Sequence, residues 1–247
     1  MGKIVAAEYV SVDGVMQDPG GVGEIEVGGW ASPYWDDELA KLQADLLFAS
    51  DALLLGRVTY EGFAAAWPDM EHEQGPFAVK MNAMPKYVAS WTVTAMQWNA
   101  TPIRGDVAEE VAKLKCGSGQ NLLIYGSGSL VRLLLRHGLI DQLRLMIHPV
   151  VLGAGKPLFT ETGGKKELHF AGVTATSAGV VVVDYQKAPG GTPKLRHRGW
   201  LERAGRDVAR SSARLAPRAA GQTLPQAVAA RDCSTTSAGR ARRCPGA

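Results

Sequence analysis

Gly56-Arg57-x-Thr59 and Gly126-Ser127-Gly128-Ser129-Leu130 are the two segments of this 247-residue chain whose residue types and spacing could grip phosphate. Each follows an apolar run that reads as a buried strand, Ala52 to Leu55 and Asn121 to Tyr125, and each leads into a helical pattern. Gly56 lets a ligand approach the backbone closely. Arg57 supplies a planar, permanent cation suited to phosphate. Thr59 adds a hydroxyl near a helix N-terminus, where unpaired N–H groups favour anions. In the second segment the donors are the backbone itself: strand, glycine-rich turn and helix N-terminus. Gly126 and Gly128 match the first two glycines of the dinucleotide fingerprint, but Val131 stands where the third would be, and no Lys follows the turn as a P-loop requires. Taken singly, the first segment is equally a tight turn with a solvated arginine. Taken together, the two predict a long ligand with several phosphates.

The elements that must position these residues come in a recognisable order. Ser11-Val12-Asp13-Gly14 follows a first strand, Ile4 to Val10. Leu54-Leu55-Gly56-Arg57-x-Thr59-Tyr60-Glu61, Lys86-Tyr87-Val88-Ala89-Ser90, Gly126-Ser127-Gly128-Ser129-Leu130 and Pro149-Val150-Val151-Leu152-Gly153-x-Gly155 come next. This ordered set, spanning Lys3 to about Lys187, resembles the dihydrofolate-reductase-like superfamily, and more closely its branch similar to the reductase domain of riboflavin biosynthesis (RibD C-terminal-like). The resemblance implies an α/β fold: a mixed sheet with a parallel core, an antiparallel C-terminal hairpin and helices on both faces. It implies NADPH-dependent reduction of a small heterocyclic or imine-like substrate, pyrimidine- or pterin-like. It places Gly56, Arg57 and Thr59 at the dinucleotide phosphates, Ser90 on the adenosine side, and Gly126, Ser127, Gly128, Ser129 and Leu130 under the pyrophosphate. Arg57 with Ser90 at the 2′-phosphate would favour NADPH over NADH. A nucleotide-binding protein without turnover, such as a regulator on the same fold, is the alternative.

At the reacting end two carboxylates are candidates. Asp13 follows a strand directly and starts a glycine-rich loop, although Asp-Gly is also an ordinary turn. Asp37 lies near the place where folate-reducing members carry a carboxylate on the helix before Gly-Arg-x-Thr. The spacing to Gly56 is longer here, and first-turn acids commonly serve the helix dipole. Trp30, in a Gly-Gly-Trp segment, is the candidate to stack on substrate from a loop closing over the site. Hydride chemistry would belong to the cofactor, leaving the protein to place the substrate and manage a proton.

Around these residues the pattern is legible. The 11–33 segment reads as a long loop, followed by a helix with Ser32 as cap, Pro33 in its first turn and Trp35, Leu39, Leu42 and Leu46 on one face. A helix after Gly56 ends at Trp67-Pro68, and 70–84 reads as irregular. Asp106 with Glu109 forms a capping box for the next helix. Leu143, Leu145 and Ile147 alternate with Gln142, Arg144 and His148, predicting a strand with one buried face. Leu168 to Thr176 and Val180 to Lys187 read as a hairpin about Ser177-Ala178-Gly179, with a bulge at Gly172. The exposed hairpin edge with its run of valines predicts a homodimer.

Composition divides the chain. Residues 188–247 hold one Lys and eleven Arg against three acids, a net of +9; since the whole chain carries +3, the 1–187 part is −6. The expectation is a reductase domain over 1–187 and a basic, Ala/Arg-rich tail over 188–247 with too few apolar residues to form a core. A basic arm for nucleic acid is the functional alternative, weakened by scattered arginines and a single aromatic, Trp200. A sequence with no selected role is the third. Three cysteines and five histidines lack metal-ligand spacing, so no metal is expected. No leader or membrane-length apolar run is read, and a cytoplasmic location is expected.

Overall fold

The computed structural model describes residues 2–93, 95–160 and 164–188. A division into two units falls between Gly191 and Thr192, and the first unit is the one described here. The basic tail expected over 188–247 lies outside the described residues apart from Ala188.

The elements in chain order are β1 (Lys3–Ser11), α1 (Asp37–Phe48), β2 (Ser50–Gly56), α2 (Arg57–Ala66), α3 (Glu71–Gln74), α4 (Pro76–Ala83), β3 (Lys86–Ala89), β4 (Ala100–Ile103), α5 (Val107–Gly117), β5 (Asn121–Tyr125), α6 (Gly128–Arg136), β6 (Gln142–His148), β7 (Leu168–Ala175) and β8 (Val181–Lys187). They build one eight-stranded sheet of order β4-β3-β2-β5-β1-β6-β8-β7. The strands from β4 to β6 pair in parallel, and β8 joins β6 and β7 antiparallel. The expected fold class is the one observed: a mixed sheet with a parallel core, an antiparallel C-terminal hairpin and helices on both faces.

Both faces of the parallel core are covered, as the unbroken apolar runs require. On one face Ile4, Ala6, Leu54, Leu122 and Ile124 pack under Val111 of α5 and Leu130, Val131 and Leu134 of α6. On the other, Val5, Ala7, Leu53, Leu55, Leu123 and Met146 pack under Leu39, Leu46 and Leu47 of α1, Tyr60 of α2 and Met81 of α4. Burying a side chain such as Leu54 or Ile124 contributes about 1.5–3 kcal/mol.

Several local expectations are met. Asp106 caps α5 by accepting from the Glu109 N–H at 2.9 Å. The hairpin carries a register shift between Phe170 and Gly172, the expected bulge. Others are corrected. Ser32-Pro33-Tyr34 is a separate 3₁₀ turn; α1 starts later, capped by Asp36, whose carboxylate accepts from Leu39 N–H at 2.8 Å. Asp36 is the stronger cap because it also accepts from Ser177 Oγ and Ala178 N–H of the β7–β8 turn. The 70–84 stretch forms α3 and α4, the latter begun by Pro76 and held by buried Ala78 and Met81. Strand β6 has no solvent face: His148 and Met146 are as buried as Leu143, because β6 lies between β1 and β8 under cover on both sides. Val182 and Val183 lie buried on β8 rather than on an edge; the edge strand is β7, which exposes Leu168, Phe170 and Val173.

Candidate functional site

Strands β2 and β5 are neighbours, yet the helices that follow them leave on opposite faces of the sheet. Tyr60 of α2 packs on the α1 side, whereas Leu130 and Val131 of α6 pack on the α5 side. Such a divergence opens a crevice at the carboxyl ends of the strands, which is where open α/β sheets bind ligands. Both expected phosphate segments stand at this point.

The two turns are bonded to each other. Gly56 N–H donates to Ser127 Oγ at 2.9 Å, and Ser127 N–H donates to Thr59 Oγ1 at 3.0 Å. Ser127 itself is left-handed, with φ 58° and ψ 40°, following Gly126 at φ 59°. A Cβ at Gly126 would press on Thr59, and one at Gly128 would collide with Met16 Sδ. Gly126 therefore lets the two turns close on one another, and Gly128 lets Met16 of the 11–33 loop lie against the α6 turn. Thr59 and Ser127 act as braces, and the ligand-facing donors are backbone: no side chain caps α2 or α6. The first N–H groups of α6, those of Gly128 and Ser129, make no hydrogen bond among the described residues. They form a cradle for an anion, so the residues present fit a dinucleotide pyrophosphate. Leu130 is buried and anchors the helix beneath the turn. The Ser129 hydroxyl accepts from Arg132 Nη2 at 3.1 Å.

Arg57 and Ser90 leave adjacent strands side by side, since Gly56 pairs with Ala89 in the β2–β3 register. Arg57 is half-exposed and pairs with Glu61 at 2.8 Å, so its guanidinium is free to exchange that partner for a phosphate. The Ser90 hydroxyl accepts from Thr92 and Val93 N–H groups at 3.3 and 3.1 Å, closing the turn after β3.

Asp13 holds a different kind of position. Its carboxylate accepts from Ser11 Oγ at 2.6 Å, Gly153 N–H at 2.8 Å and Leu152 N–H at 3.1 Å, tying the end of β1 to the 149–153 loop. The Ser11 hydroxyl first, then the Gly153 and Leu152 N–H groups, lower its pKa to about 2. A carboxylate held there is ionised at neutral pH and braces the 149–153 loop. Asp37 is exposed in the first turn of α1; the polar α1 residue that is buried, beside Leu39, Leu46 and Leu47, is Gln43. Trp30 is buried, with Nε1–H donating to Gln17 O at 2.8 Å and its ring edge-on to His148 at 5.3 Å. The glycine-rich loop around it is ordered by Asp18, whose carboxylate accepts from the N–H groups of Val22, Gly23 and Glu24.

Three buried polar residues at this end of the sheet carry no assignment from the sequence alone. Glu8, on β1, is fully buried and neither carboxyl oxygen has a hydrogen-bond partner. Burial pushes its pKa well above the ordinary value, and the Gly126 backbone N–H beside it opposes this to a smaller extent. Gln43 donates from Nε2 to Tyr9 Oη at 2.9 Å, leaving Oε1 buried without a partner. His148 Nδ1 lies 2.9 Å from Met146 O, so Nδ1 carries the proton and Nε2 is a buried, unpartnered acceptor. Burial lowers the His148 pKa, opposed by the Met146 and Val10 carbonyls. The detectable signal is a Glu inside Ile-Val-Ala-Ala-Glu-Tyr-Val, where every neighbour is core.

A groove of about 440 Å³, lined by Asp51, Tyr87, Lys113 and Ser118 among others, lies at the opposite, N-terminal edge of the sheet. It faces none of the residues above, and its Asp51 carboxylate is already engaged by Ser118 Oγ and Gln120 N–H. No described helix is long and apolar enough to cross a membrane.

A crossed crevice at the carboxyl ends of β2 and β5, with an antiparallel C-terminal hairpin beyond β6, defines the dihydrofolate-reductase-like fold. Within that fold, residues 2–182 match the RibD C-terminal domain, and the chain belongs to that family of reductase domains. Among its relatives, the uncharacterized protein YyaP of Bacillus subtilis (strain 168) is 35% identical over 144 residues, covering 57% of this chain and 76% of the relative. The uncharacterized protein YwjB of the same organism is 28% identical over 129 residues, covering 52% and 70%. A putative riboflavin biosynthesis protein from Shewanella sp. PV-4 shares the fold with TM-score 0.55 at 20% identity, covering 76% of this chain and all of that one. A pyrimidine reductase-like protein from Corynebacterium diphtheriae does so with TM-score 0.53 at 15% identity, covering 76% and 92%.

Proposed function

We propose that this protein is an NADPH-dependent reductase of a small pyrimidine-like heterocycle. The observation that carries the reading is the pair of strand-to-helix turns joined through Ser127, with the α6 N–H groups of Gly128 and Ser129 left for an anion. In this reading the pyrophosphate lies on the α6 turn and the adenosine phosphate meets Arg57 beside Ser90. NADPH supplies the hydride. The chain's residues bind and orient the reactants, and the proton needed to complete reduction of a C=N or C=O bond comes from a group at the reacting end or from water. Asp13, already ionised, braces the loop in this scheme; Asp37, exposed, serves the helix dipole.

Family membership in a reductase domain and the fold shared with the pyrimidine reductase-like protein support a pyrimidine-like substrate. The test is a screen following NADPH absorbance with pyrimidines, pterins, flavins and quinones. Turnover of a pyrimidine supports the reading, and NADPH binding with no turnover across the screen favours a nucleotide-binding regulator instead. We also propose a homodimer through β7, whose edge exposes Phe170 at 63% and Val173 at 58%. A monomer by light scattering at micromolar concentration would contradict it.

A further inference from the structure

A carboxyl without a partner sits in the sheet beneath the α6 turn. Glu8 falls between Ala6 and Val10, so the alternation of β1 turns it to the face covered by Leu130, Val131 and Leu134 of α6. The parallel β1–β5 register ends at Ala7 and Tyr125, which places Glu8 alongside Gly126, where the α6 turn opens. On its other side it pairs with Leu145. The side chain is 1% exposed, and neither oxygen has a hydrogen-bond partner. A buried polar group left unpaired is costly and requires an explanation. The charged groups around it supply no partner. Arg132 of α6 lies beside Gly128 and donates to the Pro157 and Leu158 carbonyls. Tyr125 of β5 feels the Glu8 charge but turns its hydroxyl to Gln43 O, on the α1 side. Strand β6 presents Leu143, Leu145 and Ile147 on this face, and its Arg144 is held by Asp184 and Leu42 O on the other. Lys156, in the loop after β6, is exposed.

We propose that Glu8 is an internal competitor of the anion at the α6 turn: the turn holds a phosphate-bearing polyanion tightly while the Glu8 carboxyl carries a proton and weakly once it is ionised. The inference rests on the dinucleotide reading only for which polyanion is bound. Its physics follows from the placement. An anion on the Gly128 and Ser129 N–H groups and a charge on Glu8 draw on the same positive helix end, one from outside and one from beneath. Like charges so placed disfavour each other. The coupling is reciprocal: the bound anion holds the proton on Glu8, and an ionised Glu8 weakens the anion by the same factor. Protonated, Glu8 leaves the field of the helix end to the ligand. Burial without a partner favours that neutral form. Where the free protein has lost the proton, each binding event takes one up from solvent and restores the neutral carboxyl. Affinity for the polyanion is thereby tied to pH through one group.

The experiment is calorimetric titration of the full chain and of its Glu8→Gln variant with NADPH and with inorganic pyrophosphate. It runs from about pH 6 to 9, in pairs of buffers that differ in ionisation enthalpy, so that proton uptake is read directly. The unmodified protein is expected to bind both probes less tightly as pH rises. The loss beyond that of Glu8→Gln should reach up to about tenfold per pH unit, the limit for one linked proton, with uptake approaching one proton per bound probe. Glu8→Gln should show neither effect. Comparison of the two proteins cancels the titration of the probes and of every other group. In the unmodified protein alone, the infrared C=O band of protonated carboxyl should grow when NADPH is added at the alkaline end, which keeps the test decisive if Glu8→Gln folds poorly. Parallel affinity profiles with no proton uptake would overturn the proposal, and NADPH binding alongside that result would leave the dinucleotide reading standing. Pyrophosphate bound with the Glu8-dependent profile, and NADPH not bound, would do the reverse. Binding of neither probe would remove both.

Discussion

Replacing Glu8 by Gln isolates the least comfortable group in the protein. The side chain keeps its size, so the β1 core is undisturbed, and the ionisable proton is removed. In the folded chain Glu8 is fully buried with both oxygens unpartnered, and its pKa lies well above the ordinary value of 4.5. The sign follows directly. Above pH 4.5 the unfolded chain releases the proton while the folded chain keeps it, so the folded state binds more protons and stability falls as pH rises. The slope is about 1.4 kcal/mol per pH unit, up to the folded pKa. Above the folded pKa the two states are equally ionised and the loss stops. Glu8→Gln has no such slope. The difference between the two proteins cancels every other titration, and it should open by roughly 3–6 °C in melting temperature per pH unit for a domain of this size. Thermal melts of both proteins at a series of pH values from about 5 upward measure it. Parallel curves would refute the reasoning. They would mean that Glu8 is ionised in place, for instance held as an anion by the positive end of α6.

Three other outcomes are expected. Arg57→Ala should weaken NADPH binding by about 1.5–3 kcal/mol, the range for a hydrogen bond to a charged group, and NADH binding by much less; fluorescence titration of both cofactors checks it. Asp13→Asn should place an amide donor against the Gly153 N–H and loosen the 149–153 loop, read as faster amide exchange at Leu152 and Gly153. Because the Asp13 pKa is lowered to about 2, its stabilisation is complete above the unfolded value of 3.8 and is lost as pH falls towards 2, so the acid-side loss should shrink in that variant. A chain cut after Ala188 should keep its melting temperature and cofactor affinity, since the family match ends at residue 182 and β8 at Lys187.

What is legible in the sequence is local. Gly126-Ser127-Gly128 can be read because strand, turn and helix are contiguous, and the β7–β8 hairpin because its turn residues and bulge are neighbours in the chain. The fold class follows from the ordered motifs. The bracing of one turn by the other is not legible: Ser127 and Thr59 are far apart in sequence, and a hydroxyl that binds phosphate looks the same as one that binds a backbone N–H. His148 reads as the polar side of an alternating strand, an assumption that fails when the rings of Tyr9, Trp30 and Tyr34 cover that side. Trp30 resembles a free lid because its partners, Gln17 O and His148, are set by tertiary contact. Asp37 stands out through its type, while Gln43, further along the same helix, is the polar residue that is buried. Glu8 alone among the unassigned residues has a visible signal, a lone acid in a fully apolar strand.

The central claim is that the β2–β5 crevice binds a phosphorylated dinucleotide on the α6 turn. The most direct measurement is titration of the full chain with NADPH and NADH by nicotinamide fluorescence, repeated with Gly128→Ala, which places a methyl between the turn and Met16 Sδ. The account predicts saturable binding of both cofactors, tighter for NADPH, and weakened binding of both in the variant. No binding of either cofactor, or affinities that Gly128→Ala leaves unchanged, would contradict it.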